Sequence, residues 1–199
     1  MGFGWVFIGY FFANVMAVYS VLSFAMLVGY PLMVIGLYKL APYHVRFRSL
    51  FFFSLASLPF AIYYGAYGFS MLGFAALDGI FAAGVFNVVQ WCYFIFNIVF
   101  HALLLYAIAG IGAELGLFSI QSTAWRNLIL TALCYAVDLV ARLPVTAAIQ
   151  PYFIVPLLLL RLMIVFLNLY LIYRCYRHIC SEEENSVASE PIKKKGGKK

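Results

Sequence analysis

The sequence predicts an all-α protein: a bundle of five transmembrane helices, with the N-terminus outside and the C-terminus in the cytoplasm. Three observations predict it. Residues 2–38, 49–77 and 79–113 contain no Asp, Glu, Lys or Arg, and each is longer than the ~20 apolar residues that cross a bilayer as a helix. The chain is 66% hydrophobic and only 10% charged, with a mean hydropathy of +0.98, whereas a soluble domain is about half apolar and a quarter charged. Strict strand alternation is absent, which argues against a β-barrel. Backbone groups in hydrocarbon must then pair within helices.

Each span follows from where the polar punctuation falls. The first is expected over 14–38, ended by Lys39, Pro42 and the cluster of His44, Arg46 and Arg48. The 37 uncharged residues before Lys39 barely hold two spans and a turn, so one span is expected, preceded by an aromatic interfacial segment, Phe3–Phe12. The second span, 50–72, stops before Gly73 and Asp78-Gly79. The third, 82–112, precedes a polar loop from Glu114-Leu115-Gly116 to Arg126. The fourth covers 127–148, and Gln150-Pro151 turns the chain into the fifth, 152–176. Residues 1–180 would form the bundle. Residues 181–199, with an acidic run and then five lysines, have the composition of a disordered cytoplasmic tail.

Orientation follows from charge. With the N-terminus outside, Lys39, Arg46, Arg48, Arg126, Arg174, Arg177 and the five tail lysines all face the cytoplasm, and no Lys or Arg faces out. That asymmetry is the positive-inside signal. The start of the chain lacks the basic region of a secretory signal and is expected to be retained. Val6 stands where a myristoylation motif needs Ser or Thr.

Three charges remain inside the spans. Asp138 and Arg142 lie four residues apart on one helix face, and Arg161 lies on the next helix. Counted from the expected helix ends, Asp138 and Arg161 are both roughly 14–15 Å deep, where a charge costs about 2.5–3.5 kcal/mol. A carboxylate between two guanidiniums offsets this and leaves one positive charge over. The third span adds a polar seam, Asn87, Gln90, Asn97 and His101, and the fifth places Asn168 seven residues after Arg161. These lines are expected to face one another rather than lipid. The candidate ligand-binding residues are Asp138, Arg142, Arg161, His101, Asn97 and Asn168.

Catalytic motifs and a second membrane carboxylate are absent, so no enzyme and no cofactor is expected. Cys175, His178 and Cys180 fall short of the four ligands of structural zinc. The tail lysines have no aromatic residues among them, which argues against nucleic acid and leaves the bilayer as their partner. Two function classes fit. One is a small transporter or ligand-binding membrane subunit with a polar site for a small anionic or zwitterionic solute. The other is a non-catalytic scaffold or regulatory subunit whose polar network serves helix packing alone. Five helices are few for an independent transporter, so a second copy or a partner membrane subunit is expected.

The stretch LNLYLIYRCYRHIC at 167–180, with its IY-x-C-Y-x-x-IC pattern, resembles the end of small multi-pass proteins of Gram-positive anaerobic bacteria. Those are uncharacterised, so the resemblance implies a bacterial cytoplasmic membrane and no function. Substrate-binding membrane subunits of vitamin transporters have similar length. They usually have six helices and a cytoplasmic N-terminus, and none of their recurring motifs is present here.

Overall fold

The computed structural model describes residues 2–18, 20–73, 81, 83–143 and 150–188. Asp78, Gly79 and residues 189–199 lie outside the described residues. Among those described there are helices and no strands: α1 (Gly2–Asn14), 3-10 turns at Met16–Val18 and Ser20–Ala25, α2 (Met26–Leu40), α3 (Val45–Ser54), α4 (Ser57–Met71), α5 (Ala83–Glu114), α6 (Phe118–Ala141) and α7 (Gln150–Ala188). Five segments are long and apolar enough to cross a membrane: Leu22–Leu40, Val45–Met71, Gly84–Glu114, Phe118–Ala141 and Val155–Ile179. The multi-pass helical class is as expected. The third and fifth spans fall close to the expected bounds, and the first, second and fourth depart from them.

The N-terminal segment departs most. Phe3–Phe12 is not interfacial; it belongs to α1, which lies antiparallel against α2. Gly2 and Gly9 on one helix, and Gly29 and Gly36 on the other, are each seven residues apart, which keeps them on one face. A Cβ added to Gly9 would stand 2.6 Å from the Gly29 carbonyl oxygen, and one on Gly36 would stand 2.7 Å from the Val6 nitrogen. The two backbones therefore touch, the packing that small residues permit between membrane helices. On the same side Phe3, Val6, Tyr10 and Ala13 are buried at spacings of three and four, one face of a 3.6-residue period. With 13 residues, α1 is roughly 20 Å long at 1.5 Å per residue. It is a sixth packed segment, too short to cross a bilayer by itself.

The contacts sort the bundle into two ends. Gly2 adjoins Leu40, and Gly4 faces the ring of Tyr176. His44 Nε2 lies 3.2 Å from Glu114 Oε1, and Arg174 Nη2 donates to Ser119 Oγ at 2.9 Å. One end therefore gathers Gly2, Leu40, Glu114, Phe118 and Tyr176, together with Lys39, Arg46, Arg48, Arg174 and Arg177. α1 thus brings the first residues of the chain to the same end of the bundle as Tyr176 of α7. The membrane sides themselves are not fixed by these contacts.

Two local features stand out. The expected second span, 50–72, is the single segment Val45–Met71, made of α3 and α4 with a break at Leu55–Ala56 before Pro59, which lacks an N–H and crowds the preceding turn. Serines cover the freed carbonyls: Ser57 Oγ donates to Ser54 O at 2.6 Å and Ser54 Oγ to Phe51 O at 2.7 Å. The fourth span, expected at 127–148, is α6 over 118–141. Gly116, at φ 69°, closes a short turn that only glycine adopts readily. Ser119 and Thr123 then meet Arg174 from α7, so the polar stretch 118–126 is an interhelical face and not a loop. At the other terminus α7 continues as helix to Ala188, into the stretch expected as a tail. Glu182–Glu184 are good helix formers that let it run on.

Candidate functional site

At the end opposite the basic residues, the six segments enclose a cavity of about 340 Å³. Side chains from all of these segments line it, more of them from α5 than from any other. From α5 come Gln90, Tyr93, Asn97 and His101, successive turns of the polar seam. Tyr10 enters from α1, Tyr64 from α4, and Thr131, Cys134 and Tyr135 from α6. Arg142 and Arg161 complete the wall.

The deep part is a directed hydrogen-bond chain. His101 Nδ1 lies 2.8 Å from the Asn97 carbonyl oxygen, and Nε2 lies 2.9 Å from Tyr10 Oη. A carbonyl can only accept, so in the neutral ring the proton sits on Nδ1, and Nε2 accepts from the Tyr10 hydroxyl. Tyr10 Oη in turn accepts from Asn168 Nδ2 at 3.4 Å. Asn168 Nδ2 also reaches Thr131 Oγ1 at 3.4 Å, and Tyr135 Oη lies 3.1 Å from His101 Nδ1. Beside this chain, Tyr30 Oη lies 2.8 Å from Tyr93 Oη and donates to Asn97 Oδ1 at 3.5 Å. The Oδ1 atoms of Asn127 and Asn168 are buried without a hydrogen-bond partner, a cost that a purely structural knot would be expected to avoid.

Tyr10→Phe should break this chain at its centre. It removes the donor to His101 and the acceptor for Asn168, two contacts of the kind that average about 0.6 kcal/mol each between membrane helices. The expected loss is about 1 kcal/mol, read as a lower unfolding temperature in detergent, while Tyr43→Phe at an exposed position should change nothing.

The mouth carries the charges. Arg142 Nε donates to Asp138 Oδ2 at 3.3 Å, and Arg161 Nη2 donates to the same oxygen. The Arg142 guanidinium also lies 4.7 Å from the Phe94 ring centroid and 5.9 Å from that of Trp91, within cation–π range. One carboxylate faces two guanidiniums, so one positive charge is left over. The Asp138 side chain is 6% exposed, that of Arg142 22% and that of Arg161 43%. On α6 the charged pair lies nearer the helix end than a span ending at 148 would put it. Arg142 is the C-cap of α6, which ends at Ala141, and Asp138 lies one turn inside.

Of the six candidate residues, Arg142, Arg161, Asn97 and His101 line the cavity. Asp138 lines a second cleft that shares the two arginines. Asn168, 1% exposed, bonds to the hydroxyls of Tyr10 and Thr131 and does not line the cavity. Asn87, on the expected seam, points outward. The seam reading missed the tyrosines Tyr10, Tyr64, Tyr93 and Tyr135. Among 15 tyrosines in so apolar a chain, only their helix-face positions could single them out. Among the described residues no group of three or more His, Cys, Asp or Glu could hold a metal.

Comparison with known protein families, with curated proteins and with solved structures gives no match to this chain.

Proposed function

We propose that this is a small transport or ligand-binding membrane protein whose cavity takes a small anionic or zwitterionic solute. The observation that supports it is the junction of a 340 Å³ cavity with two arginines that share one carboxylate oxygen. An anionic group on the ligand would take up the surplus charge with bidentate geometry. In a zwitterion, Asp138 would face the cationic group, and the tyrosine hydroxyls would hold the remainder. The positive-inside rule places the basic end in the cytoplasm, here of a bacterial cell membrane, so the cavity opens to the outside. His101, Tyr10 and Asn168 close its inner end, so release inward requires that chain to part. A second copy or a partner subunit would supply that movement.

The test is ligand-induced stabilisation of the purified protein in detergent. Saturable binding stabilises by about 2.7 kcal/mol at a hundred times the dissociation constant. Short carboxylates, phosphate and amino acids are screened, with the Arg142→Gln/Arg161→Gln double variant as reference. A rise of several degrees in the wild type that vanishes in the folded double variant is the expected result. Equal shifts in both proteins, or none in either, would contradict the proposal and favour a scaffold.

A further inference from the structure

The two arginines stand where two spaces meet. Besides the internal cavity there is a cleft of about 410 Å³ bounded by Trp91 of α5, Asp138 and Ala141 of α6, and Leu157 and Leu158 of α7, with Gln90, Arg142, Leu158 and Arg161 common to both. The outer walls of that cleft belong to the exposed apolar surface of the bundle: Trp91 is 41% and Leu158 38% exposed. Neighbouring Val88, Val155 and Leu159 are exposed too and extend the same apolar surface along α5 and α7. A polar site that also opens onto this apolar surface can be reached from the lipid phase as well as from water. A charged pair buried against such an opening would be costly unless a head group met it. Trp91 adds an amphipathic ring of the kind enriched at membrane interfaces.

We infer that the occupant is an amphiphile taken from the bilayer: its carboxylate or phosphate head rests on Arg142 and Arg161, and its apolar chain leaves through the cleft beside Trp91, Leu157 and Leu158. This rests on the proposed function and names its ligand class. The same head chemistry on a chainless, water-soluble anion is the alternative source. The sideways cleft favours the lipid-phase one. Asp138 keeps the pair from holding the head too tightly, because it competes for both guanidiniums.

The test uses Trp91 as the reporter. In the Trp5→Phe/Trp125→Phe background it is the single tryptophan, since the chain has three. The full-length protein is reconstituted into phosphatidylcholine vesicles containing a few mole per cent of a dibrominated anionic lipid or of its dibrominated zwitterionic counterpart, bromine being a contact quencher. A second background keeps only Trp125, which lies beside Arg126 and packs on Tyr106 under the Arg46 guanidinium, and so reports ordinary attraction of anionic lipid to surface arginines. The expected result is that the anionic lipid quenches Trp91 several-fold more than the zwitterionic one. That preference exceeds the one at Trp125 and falls to it in Arg142→Gln/Arg161→Gln. Equal quenching by the two lipids at Trp91, or a preference no greater than at Trp125, overturns the inference. If short anions still stabilise the protein through the arginines in detergent, the ligand-binding function stands and only the lipid source falls. If neither occurs, both fall.

Discussion

Gly29→Leu should prevent assembly of the bundle. A Cβ at that position would lie 2.6 Å from the backbone nitrogen of Ala13 and 2.8 Å from the carbonyl oxygen of Gly9. Both are main-chain atoms of α1 and cannot swing aside. Overpacking a core costs about 1–3 kcal/mol where side chains can adjust; here a whole helix must separate, so the upper figure or more is expected. Gly84→Leu is the matched control, since nothing lies within 4 Å of its added Cβ, and surface changes of that kind stay within about 0.5 kcal/mol. Size-exclusion profile and unfolding temperature in detergent distinguish the two. A Gly29→Leu protein as monodisperse and stable as Gly84→Leu would mean that α1 does not pack on α2. The N-terminal segment would then lie elsewhere, as at the membrane interface.

Asp138→Asn should both destabilise the mouth and make it a stronger anion site. Removing one partner of a fully buried ion pair costs about 3–5 kcal/mol. Because Arg161 is 43% exposed, solvent and head groups screen part of that, and about 2 kcal/mol is expected. The two guanidiniums would then carry two uncompensated charges, so added phosphate or carboxylate should recover more stability in the variant than in the wild type. Arg161→Lys should stay folded yet lose at least tenfold in anion affinity, because an ammonium cannot reproduce the guanidinium fork. A stable Asp138→Asn protein with no added response to anions would mean that the arginines do not act together.

Much of the fold was legible because hydrocarbon solvent allows few structures. Uncharged length located the first three spans, the breaks at Arg126 and Gln150-Pro151 set off the last two, and the polar seam of α5 pointed inward at Gln90, Asn97 and His101. What failed has a common cause: polarity and punctuation were read as breaks, while helix packing ignores both where partners exist. Ser119 and Thr123 looked like loop residues because Arg174, their partner, lies more than 50 residues away in sequence. Conversely, α1 went unseen because nothing polar separates it from α2; only the paired seven-residue spacing of Gly2/Gly9 and Gly29/Gly36 signals a helical hairpin. The place of Asp138 along its helix differs for a simpler reason, since α6 stops at Ala141.

The most direct measurement concerns Cys134, a buried thiol on the cavity wall. Cys92, Cys175 and Cys180 are replaced by serine, folding is confirmed, and a small charged, membrane-impermeant thiol reagent is applied to sealed vesicles of known protein orientation. An open cavity at the end opposite the basic residues predicts that Cys134 reacts only from the side away from Arg174 and Arg177. It also predicts that a ligand bound at Arg142 and Arg161 slows the reaction. A folded protein in which Cys134 is unreactive from either side would contradict it and leave a dry, satisfied ion-pair core.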